Sequence, residues 1–391
     1  MAQTRQGCGC AVAVLVVMLG GLGFVGYKFV LPWWRKQPPP ASGKEMRVHV
    51  LDVGQGDSIL IISPEGKVAL IDAGDQTKGK SVVEALKRYN VQQIDYLIAT
   101  HAHPDHIGGM DDVIKSTKVL NVLHNDIPPP EAATSEAAKT EGDAKKQGQK
   151  TAAAKKPAPK KQGKSTELPT VKAYNEYKST VEQSGAQFKK IGPDEKIDLG
   201  GGAILTVIAP QPPLFTREQM KAGGNEMNAN SIVMRLDYGE FSLLLAGDAE
   251  AQTEDRLTNK ELNLAAKVLK VAHHGSKYAS SENFLKRVQP EAAIISTSEF
   301  NRYGHPAPAV LERLKATGVR QLYRTDLQGE ITITTTGNIK DGKLYEIKAA
   351  KETKSDLWAG REAQKDDSSR SGFVTYGDFG PPPRQRTTQK K

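Results

Sequence analysis

Apolar positions along the chain change their period several times after residue 45, and each change predicts an element. Met46 to Ser63 (MRVHVLDVGQGDSILIIS) alternates and then turns wholly apolar beyond a Gly-rich break, the pattern of strand, tight turn and strand. Lys67 to Asp72 (KVALID) predicts a further strand ending in Ala73-Gly74. Ser81 to Tyr89 (SVVEALKRY) has helical spacing, and Ile94 to Thr100 (IDYLIAT) predicts a buried strand. Later in the chain, Val171 to Ser184 and Ala309 to Ala316 predict helices. Ala203 to Ala209, Ser231 to Leu236, Phe241 to Ala246, Ala266 to Ala272 and Ala292 to Ser296 predict strands, and Glu330 to Thr335 a closing strand. Strands first, then helices alternating with strands, predict sheet packed against helices.

The periodicity fails in three places. Residues 128–168 are rich in Ala, Lys, Pro, Gln and Thr with scarcely any large apolar side chain, so they cannot bury enough surface to offset their ordering entropy. They predict a disordered Lys-rich insertion, and the aperiodic residues 349–391 predict a disordered tail. The third place is the N-terminus. No residue from Gln6 to Tyr27 is charged, and the run AVAVLVVMLGGLGFVGYKFVL is long enough to cross a hydrocarbon core of about 30 Å. Trp33 and Trp34 follow where an interfacial aromatic belt lies. Residues 1–36 are therefore expected to form a single-pass membrane anchor, uncleaved because no A-x-A-like site closely follows the run. Residues 37–45, beginning QPPPASG, read as a stiff linker to a folded domain over 46–348. The orientation cues conflict: Lys28, Arg35 and Lys36 outnumber Arg5 and favour a cytoplasmic domain, whereas the short leading segment resembles an export signal.

Charge changes this picture less than its total suggests. The net charge of +9 invites a nucleic-acid reading, but eight lysines fall between Lys145 and Lys164, and Arg384, Arg386, Lys390 and Lys391 close the chain. Without those eight and four charges the remainder carries −3, so overall basicity is weak evidence for a DNA-binding surface. The only cysteines, Cys8 and Cys10, flank the apolar run, which excludes a disulfide framework and a thiolate metal site in the globular part.

The chemistry concentrates directly after the strand IDYLIAT, at Thr100-His101-Ala102-His103-Pro104-Asp105-His106-Ile107-Gly108-Gly109. Three imidazoles and a carboxylate within six positions suit a divalent metal. His101 and His103 can point to one ion; Asp105 and His106, after the turn at Pro104, can point to a second. Two ions about 3.5–4 Å apart need a bridging carboxylate, and Asp248, where the strand FSLLLA runs into Gly247-Asp248, is the candidate. The strand AKVLKVA likewise runs into His273-His274-Gly275-Ser276; His273 is the first choice to complete the ligand set, leaving His274 for a catalytic or substrate contact. His305, in NRYGHP, is a candidate general acid or phosphate contact. Lys277 and Arg302 are candidates to hold the oxygens of a phosphate. Asp52, Gln55 and Asp57 lie either near the site or in a turn that they fix, and Asp72 reads as structural or as support for a ligand. His49 and His124, outside these motifs, read as structural or exposed.

THAHPDHIGG resembles the HxHxDH signature of the metallo-β-lactamase superfamily. The set DVGQGDS, IDAG, NANS, LLLAGD, VLKVAHHGS, NRYGHP and YRTDLQGEI, in that order over about residues 46 to 340, resembles the hydrolase domain of the ComEC/Rec2 competence proteins and their stand-alone relatives. The resemblance implies an α/β (α+β) fold, an αββα sandwich with metals at one sheet edge and hydrolysis by a metal-held hydroxide. It carries over His101, His103, Asp105, His106, Asp248 and the His273/His274 pair as ligands, with Asp105 also counted as catalytic. One departure matters. Many members place another ligand histidine between the HxHxDH cluster and the bridging Asp, but only His124 lies there, in no recognisable motif. Asn230, also counted as a substrate contact, or water would then fill the first site, which leaves both Zn2+ and Mn2+ open for the two divalent ions.

The leading expectation is thus a metal-dependent phosphodiesterase, a nuclease acting on DNA, on a membrane-anchored domain that the family's usual placement puts outside the cytoplasm. Full competence proteins also carry a multi-helix channel domain with no counterpart in this sequence, so the chain is not expected to conduct DNA itself. The alternatives are a hydrolase of small esters, lactones or β-lactams, and a membrane-anchored binding protein without enzymatic activity.

Overall fold

The computed structural model describes residues 43–130, 132, 168–220 and 225–361. The predicted membrane anchor, most of its linker, nearly all of the Lys-rich insertion and the end of the tail lie outside the described residues. Among the described residues no helix is long and apolar enough to cross a membrane.

The first half of the chain runs β1 (Met46–Val50), β2 (Ile59–Ile62), β3 (Val68–Ile71), α1 (Gly79–Arg88), β4 (Gln93–Ala99), α2 (Pro104–Ile107), α3 (Met110–Ser116), β5 (Lys118–His124), α4 (Pro169–Ser184) and β6 (Gln187–Lys190). The second half runs β7 (Lys196–Gly200), β8 (Ala203–Ala209), α5 (Glu226–Ala229), β9 (Val233–Tyr238), β10 (Phe241–Leu245), α6 (Ala251–Thr258) and β11 (Val268–Lys270). It closes with α7 (Glu282–Val288), β12 (Ala292–Ile295), α8 (Pro308–Ala316), β13 (Gln321–Arg324), α9 (Thr325–Gln328), β14 (Ile331–Lys340) and β15 (Lys343–Ala349).

These strands make two sheets, one in the order β15-β14-β1-β2-β3-β4-β5-β6 and one in the order β13-β12-β11-β10-β9-β8-β7. Ile59, Ile61, Ile71 and Ile98 of the first sheet share one apolar cluster with Leu236, Phe241, Leu243 and Ile294 of the second, so the main core lies between the sheets. The outer face of the first sheet, including Leu60 and Leu70, packs on Val82, Val83 and Leu86 of α1 and on Met110 and Val113 of α3. The outer face of the second packs on Leu257, Phe284, Leu285, Val310, Leu311 and Leu314 of α6, α7 and α8. Each such side chain stabilises the fold by about 1.5–3 kcal/mol relative to exposure. Burial on both faces is why ILII and FSLLL read as continuous apolar runs rather than alternations. The layers are α/β/β/α, as the resemblance implies.

Parallel pairing decides where the chemistry can gather. β3, β4, β5 and β6 run parallel, with Ile71 opposite Ile98 and Ile98 opposite Leu123. In the second sheet β10, β11, β12 and β13 run parallel, with Leu245 opposite Lys270 and Lys270 opposite Ile294. Parallel neighbours end on the same side, so the loops after β3 and β4 emerge together in the first sheet and those after β10, β11 and β12 in the second, and the packed sheets bring the two sets into contact.

Several sequence expectations change. The strand expected over Ala266 to Ala272 is only Val268–Lys270, because His273 and His274 take positive φ of 48° and 53° and turn the chain. β5, β6, β7, β13 and β15 were not predicted. In β5 the polar Asn121 interrupts the apolar run, its Nδ2 donating to the Asp95 carbonyl at 2.9 Å. The insertion expected from residue 128 opens in ordinary packing, with Ala132 buried and donating its N–H to Pro129 O. The expected tail boundary at 349 also moves. Ala349 pairs with Ile331, and Leu357 and Trp358 pack on the outer cluster of the second sheet. The fully buried Arg324 guanidinium donates to Leu357 O at 3.0 Å and Ala359 O at 2.6 Å. This segment is held largely through its carbonyls, so it shows little apolar period.

Candidate metal centre

β4 delivers Thr100 and His101 to the sheet edge, and Pro104 at the first turn of α2 starts the helix that carries Asp105 and His106. The neighbouring strand β3 ends one residue before Asp72, whose positive φ of 57° swings its carboxylate across the end of β4. Asp72 Oδ1 accepts the Thr100 N–H at 2.9 Å, and Oδ2 lies 2.7 Å from both Thr100 Oγ1 and His106 Nδ1. With Nδ1 held in this way, Nε2 of His106 points into the site, 3.3 Å from Asp248 Oδ2. A carboxylate orienting a histidine from behind is the usual support of a metal ligand.

The remaining groups converge on the same carboxylate. Asp248 Oδ2 lies 3.8 Å from His101 Nε2, 3.6 Å from His274 Nε2 and 3.9 Å from His273 Nε2. His274 Nε2 lies 3.4 Å from Asp105 Oδ2, while its Nδ1 faces the Ser296 carbonyl at 3.1 Å. His101 Nε2 and His103 Nδ1 are 2.8 Å apart. Ligand atoms therefore gather within 4.8 Å as His101–His106–Asp248 and as Asp105–His106–His274. Asp57, Asp72 and His106 meet the same distance criterion, but Asp72 is engaged by Thr100 and His106, and Asp57 by Lys270 Nζ at 2.9 Å. That third group supports the site rather than opening another.

The arrangement fits divalent cations. His106 Nε2, His274 Nε2 and Asp248 Oδ1 are buried without a hydrogen-bond partner, and leaving such atoms unsatisfied costs about 1–3 kcal/mol each. The electrostatics agree. Burial works to raise Asp105 and Asp248, but His106 and His274 outweigh it and hold both carboxylates well below their usual range. Burial works to lower His106 and His274, and the surrounding carboxylates, Asp248 foremost, raise both instead. His101, deeper among imidazoles, is pushed well below its usual value by burial and by His106 and His103. The carboxylates that favour the charged form of His106 and His274 would favour a divalent cation at the same place, and metal binding competes with protons for these nitrogens.

Each sequence-predicted residue can now be placed. His101, His103, Asp105, His106 and Asp248 come together at this edge. The order within the histidine pair reverses: His274 joins the close ligand groups, whereas His273, one-fifth exposed, stands farther out at 3.7 Å from Glu250. The turn at positive φ splays the two rings, a separation that sequence spacing does not reveal. Asn230 does not fill the first site. Its carboxamide is engaged by Phe215 N–H, Phe215 O and Glu226 O, each at 2.9 Å, and it staples a loop. Two other asparagines reach the imidazoles instead: Asn225 Nδ2 lies 3.2 Å from His103 Nε2, and Asn228 Nδ2 lies 3.4 Å from His273 Nε2. The NANS motif was the signal for Asn228; Asn225 carried none. His305 is buried with its ring centroid 5.5 Å from that of His273 and 6.4 Å from that of His274. Lys277 and Arg302 are exposed, Lys277 over the Tyr278 ring and Arg302 over Tyr303, which stacks on His305. Asp52 caps its own turn through Gly54 N–H, and Gln55 accepts from Thr297 Oγ1 at 3.2 Å. His49 is buried against Thr332 and Glu330, and His124 stacks on Phe188.

Residues 51–172 match the family model described as Metallo-beta-lactamase superfamily. ComE operon protein 3 of Bacillus subtilis is 29% identical over 316 residues, covering 75% of this chain and 33% of that protein. Competence protein ComA of Neisseria gonorrhoeae is 27% identical over 326 residues, covering 82% of this chain and 37% of that one. The chain thus spans about a third of the length of these curated relatives. Among solved structures, a mutant of CmlA beta-hydroxylase superposes with a TM-score of 0.42 at 12% identity, covering 73% of this chain and 53% of that one.

Proposed function

For a chain that carries a metallo-β-lactamase superfamily hydrolase domain similar to those of the competence proteins, we propose a metal-dependent phosphodiesterase that cleaves DNA. The observation that carries the reading is the convergence of His101, His106 and His274 on the buried carboxylate of Asp248, with Asp105 gathered against His106 and His274. A carboxylate between two imidazole-rich groups, with no thiolate, suits a pair of borderline or hard divalent ions, Zn2+ or Mn2+. His101, His103 and Asp248 would hold one ion, and Asp105, His106, His274 and Asp248 the other. Such a pair, when bound, lowers the pKa of a water and neutralises charge on both the attacking and leaving oxygens of a phosphodiester.

The chain's own residues do the rest. Asp72 and the Ser296 carbonyl fix the ring orientations of His106 and His274. Burial and the neighbouring imidazoles of His273 and His274 lower His305 to about 3, so near neutral pH it meets substrate as a neutral imidazole. That favours a hydrogen bond to a phosphoryl oxygen over delivery of a proton. Its Nδ1 is buried without a partner. The exposed Lys277, three residues after His274, and Arg302, three before His305, would supply the positive charge that a diester needs and an uncharged lactone does not. The names of the relatives, competence proteins, point to DNA as the diester. The uncharged N-terminal run would hold this site at a membrane surface, on the outer side.

The test is hydrolysis of single- and double-stranded DNA and of bis(p-nitrophenyl) phosphate by the purified chain with Mn2+ or Zn2+, beside Asp105→Ala. Metal-dependent cleavage that disappears in the variant is the expected result. Turnover of a lactone or β-lactam with no cleavage of any diester would replace the phosphodiesterase by a small-molecule hydrolase.

A further inference from the structure

Lys270 and Asp57 stand outside the ligand set, yet both are almost completely buried beside it. Lys270 ends β11 of the second sheet with no exposed surface, and Asp57 lies in the turn between β1 and β2 of the first sheet, 2% exposed. Lys270 Nζ reaches both carboxylate oxygens of Asp57 at 2.9 Å and donates to Val271 O at 2.9 Å, so the pair bolts one sheet to the other. Asp57 touches both loops that bring ligands to the second ion. Its N–H donates to the carbonyl of Asp105 at 3.3 Å, and its Oδ1 lies 3.6 Å from His274 Nδ1. Gly56 is pressed so closely on the same loop that a Cβ there would stand 2.1 Å from Asp105 O.

A buried ion pair is a poor way to gain stability. Removing two charges from water offsets most of their attraction, and an apolar pair of similar volume generally does as well. What an ion pair offers instead is direction, and this one links the loop that carries Asp105 to the loop that carries His274.

We propose that Lys270 and Asp57 are a positioning pair that holds Asp105 and His274 at the spacing the second metal ion requires. The inference rests on the metal reading of the site, not on the phosphodiester substrate. Supports behind metal ligands typically contribute about 10–100-fold in metal affinity, and the pair acts on two ligands at once.

The experiment is a Co2+ titration of the purified metal-free chain, read by the visible absorption of the bound ion and by metal content after dialysis, with thermal melting of the same samples. The double variant Lys270→Met with Asp57→Asn removes both charges together, and Asp57→Asn alone keeps an oxygen for Lys270. The double variant is expected to melt close to the parent and Asp57→Asn alone lower, because it leaves the Lys270 charge buried opposite an uncharged partner; each that folds is expected to bind the second Co2+ at least tenfold more weakly, with an altered spectrum for that ion. A purely structural pair would leave the titration of any folded variant unchanged. Parent-like Co2+ binding in the folded variants overturns the inference, and so does loss of fold in both, which would make the pair a folding staple. A parent chain that takes up no Co2+ would instead remove the metal reading on which the inference stands.

Discussion

Asp72→Asn tests how far the site depends on support from behind its ligands. The carboxylate receives Thr100 N–H at 2.9 Å and faces Thr100 Oγ1 and His106 Nδ1, each at 2.7 Å, with no exposed surface. Burial pushes its pKa up and the adjacent His106 opposes that rise. Asparagine keeps the shape but replaces one acceptor by a donor, so either His106 Nδ1–H or Thr100 loses its partner. Hydrogen bonds to a charged group contribute roughly 1 kcal/mol more than neutral ones, so three such contacts predict a loss of about 3 kcal/mol in the metal-free chain. A reoriented His106 would weaken metal binding by about 10–100-fold, or roughly 1.4–2.7 kcal/mol. Urea unfolding of the metal-free chain and calorimetric titration with Mn2+ or Zn2+ read the two effects separately. A variant that binds metal within about twofold of the parent would refute the claim that Asp72 orients His106.

The other predictions follow from contacts as specific. Gly56→Ala should weaken metal binding at least tenfold, because φ is +123° and the new Cβ would stand 2.1 Å from Asp105 O; metal content after dialysis reads it, and parent-like retention would show that the loop yields. Arg324→Met should destabilise the fold by about 3–5 kcal/mol, because Asp326 and the carbonyls of Leu357 and Ala359 lose their buried partner; denaturant unfolding decides it, and an unchanged midpoint would mean that residues 350–361 do not stabilise the domain. His124 supplies a pH dependence. Burial lowers it from 6.5 to about 4, so its contribution is present above pH 6.5 and is lost as the pH falls through 4. The stability difference between parent and His124→Gln should narrow across that window, and a constant difference would contradict the assignment.

Local chemistry accounts for what could be read from the chain alone. Burial on two faces writes itself as apolar runs, so ILII, IDYLIAT and FSLLL announced strands, whereas their division between two sheets was implied only by the family resemblance. The HAHPDH cluster announced a metal because three imidazoles and a carboxylate sit within six residues, and Pro104 predicted the turn that divides them. Features whose partners lie far apart in sequence were decided only by folding. Asp72 meets His106 across 34 positions, and Lys270 meets Asp57 across 213. Asn230 and Asn228 are two residues apart on one short segment, yet one staples the backbone of Phe215 while the other reaches His273. His274 rather than His273 gathers with Asp105 and His106 because a left-handed turn, with Gly275 close against Pro306 and His274 Nδ1 facing the Ser296 carbonyl, sends neighbouring rings in different directions. Residue types and short spacings specify which atoms can bind a metal. The pairing of parallel strands and the packing of the two sheets specify which of them meet, because only together do they bring loops from both sheets to one edge.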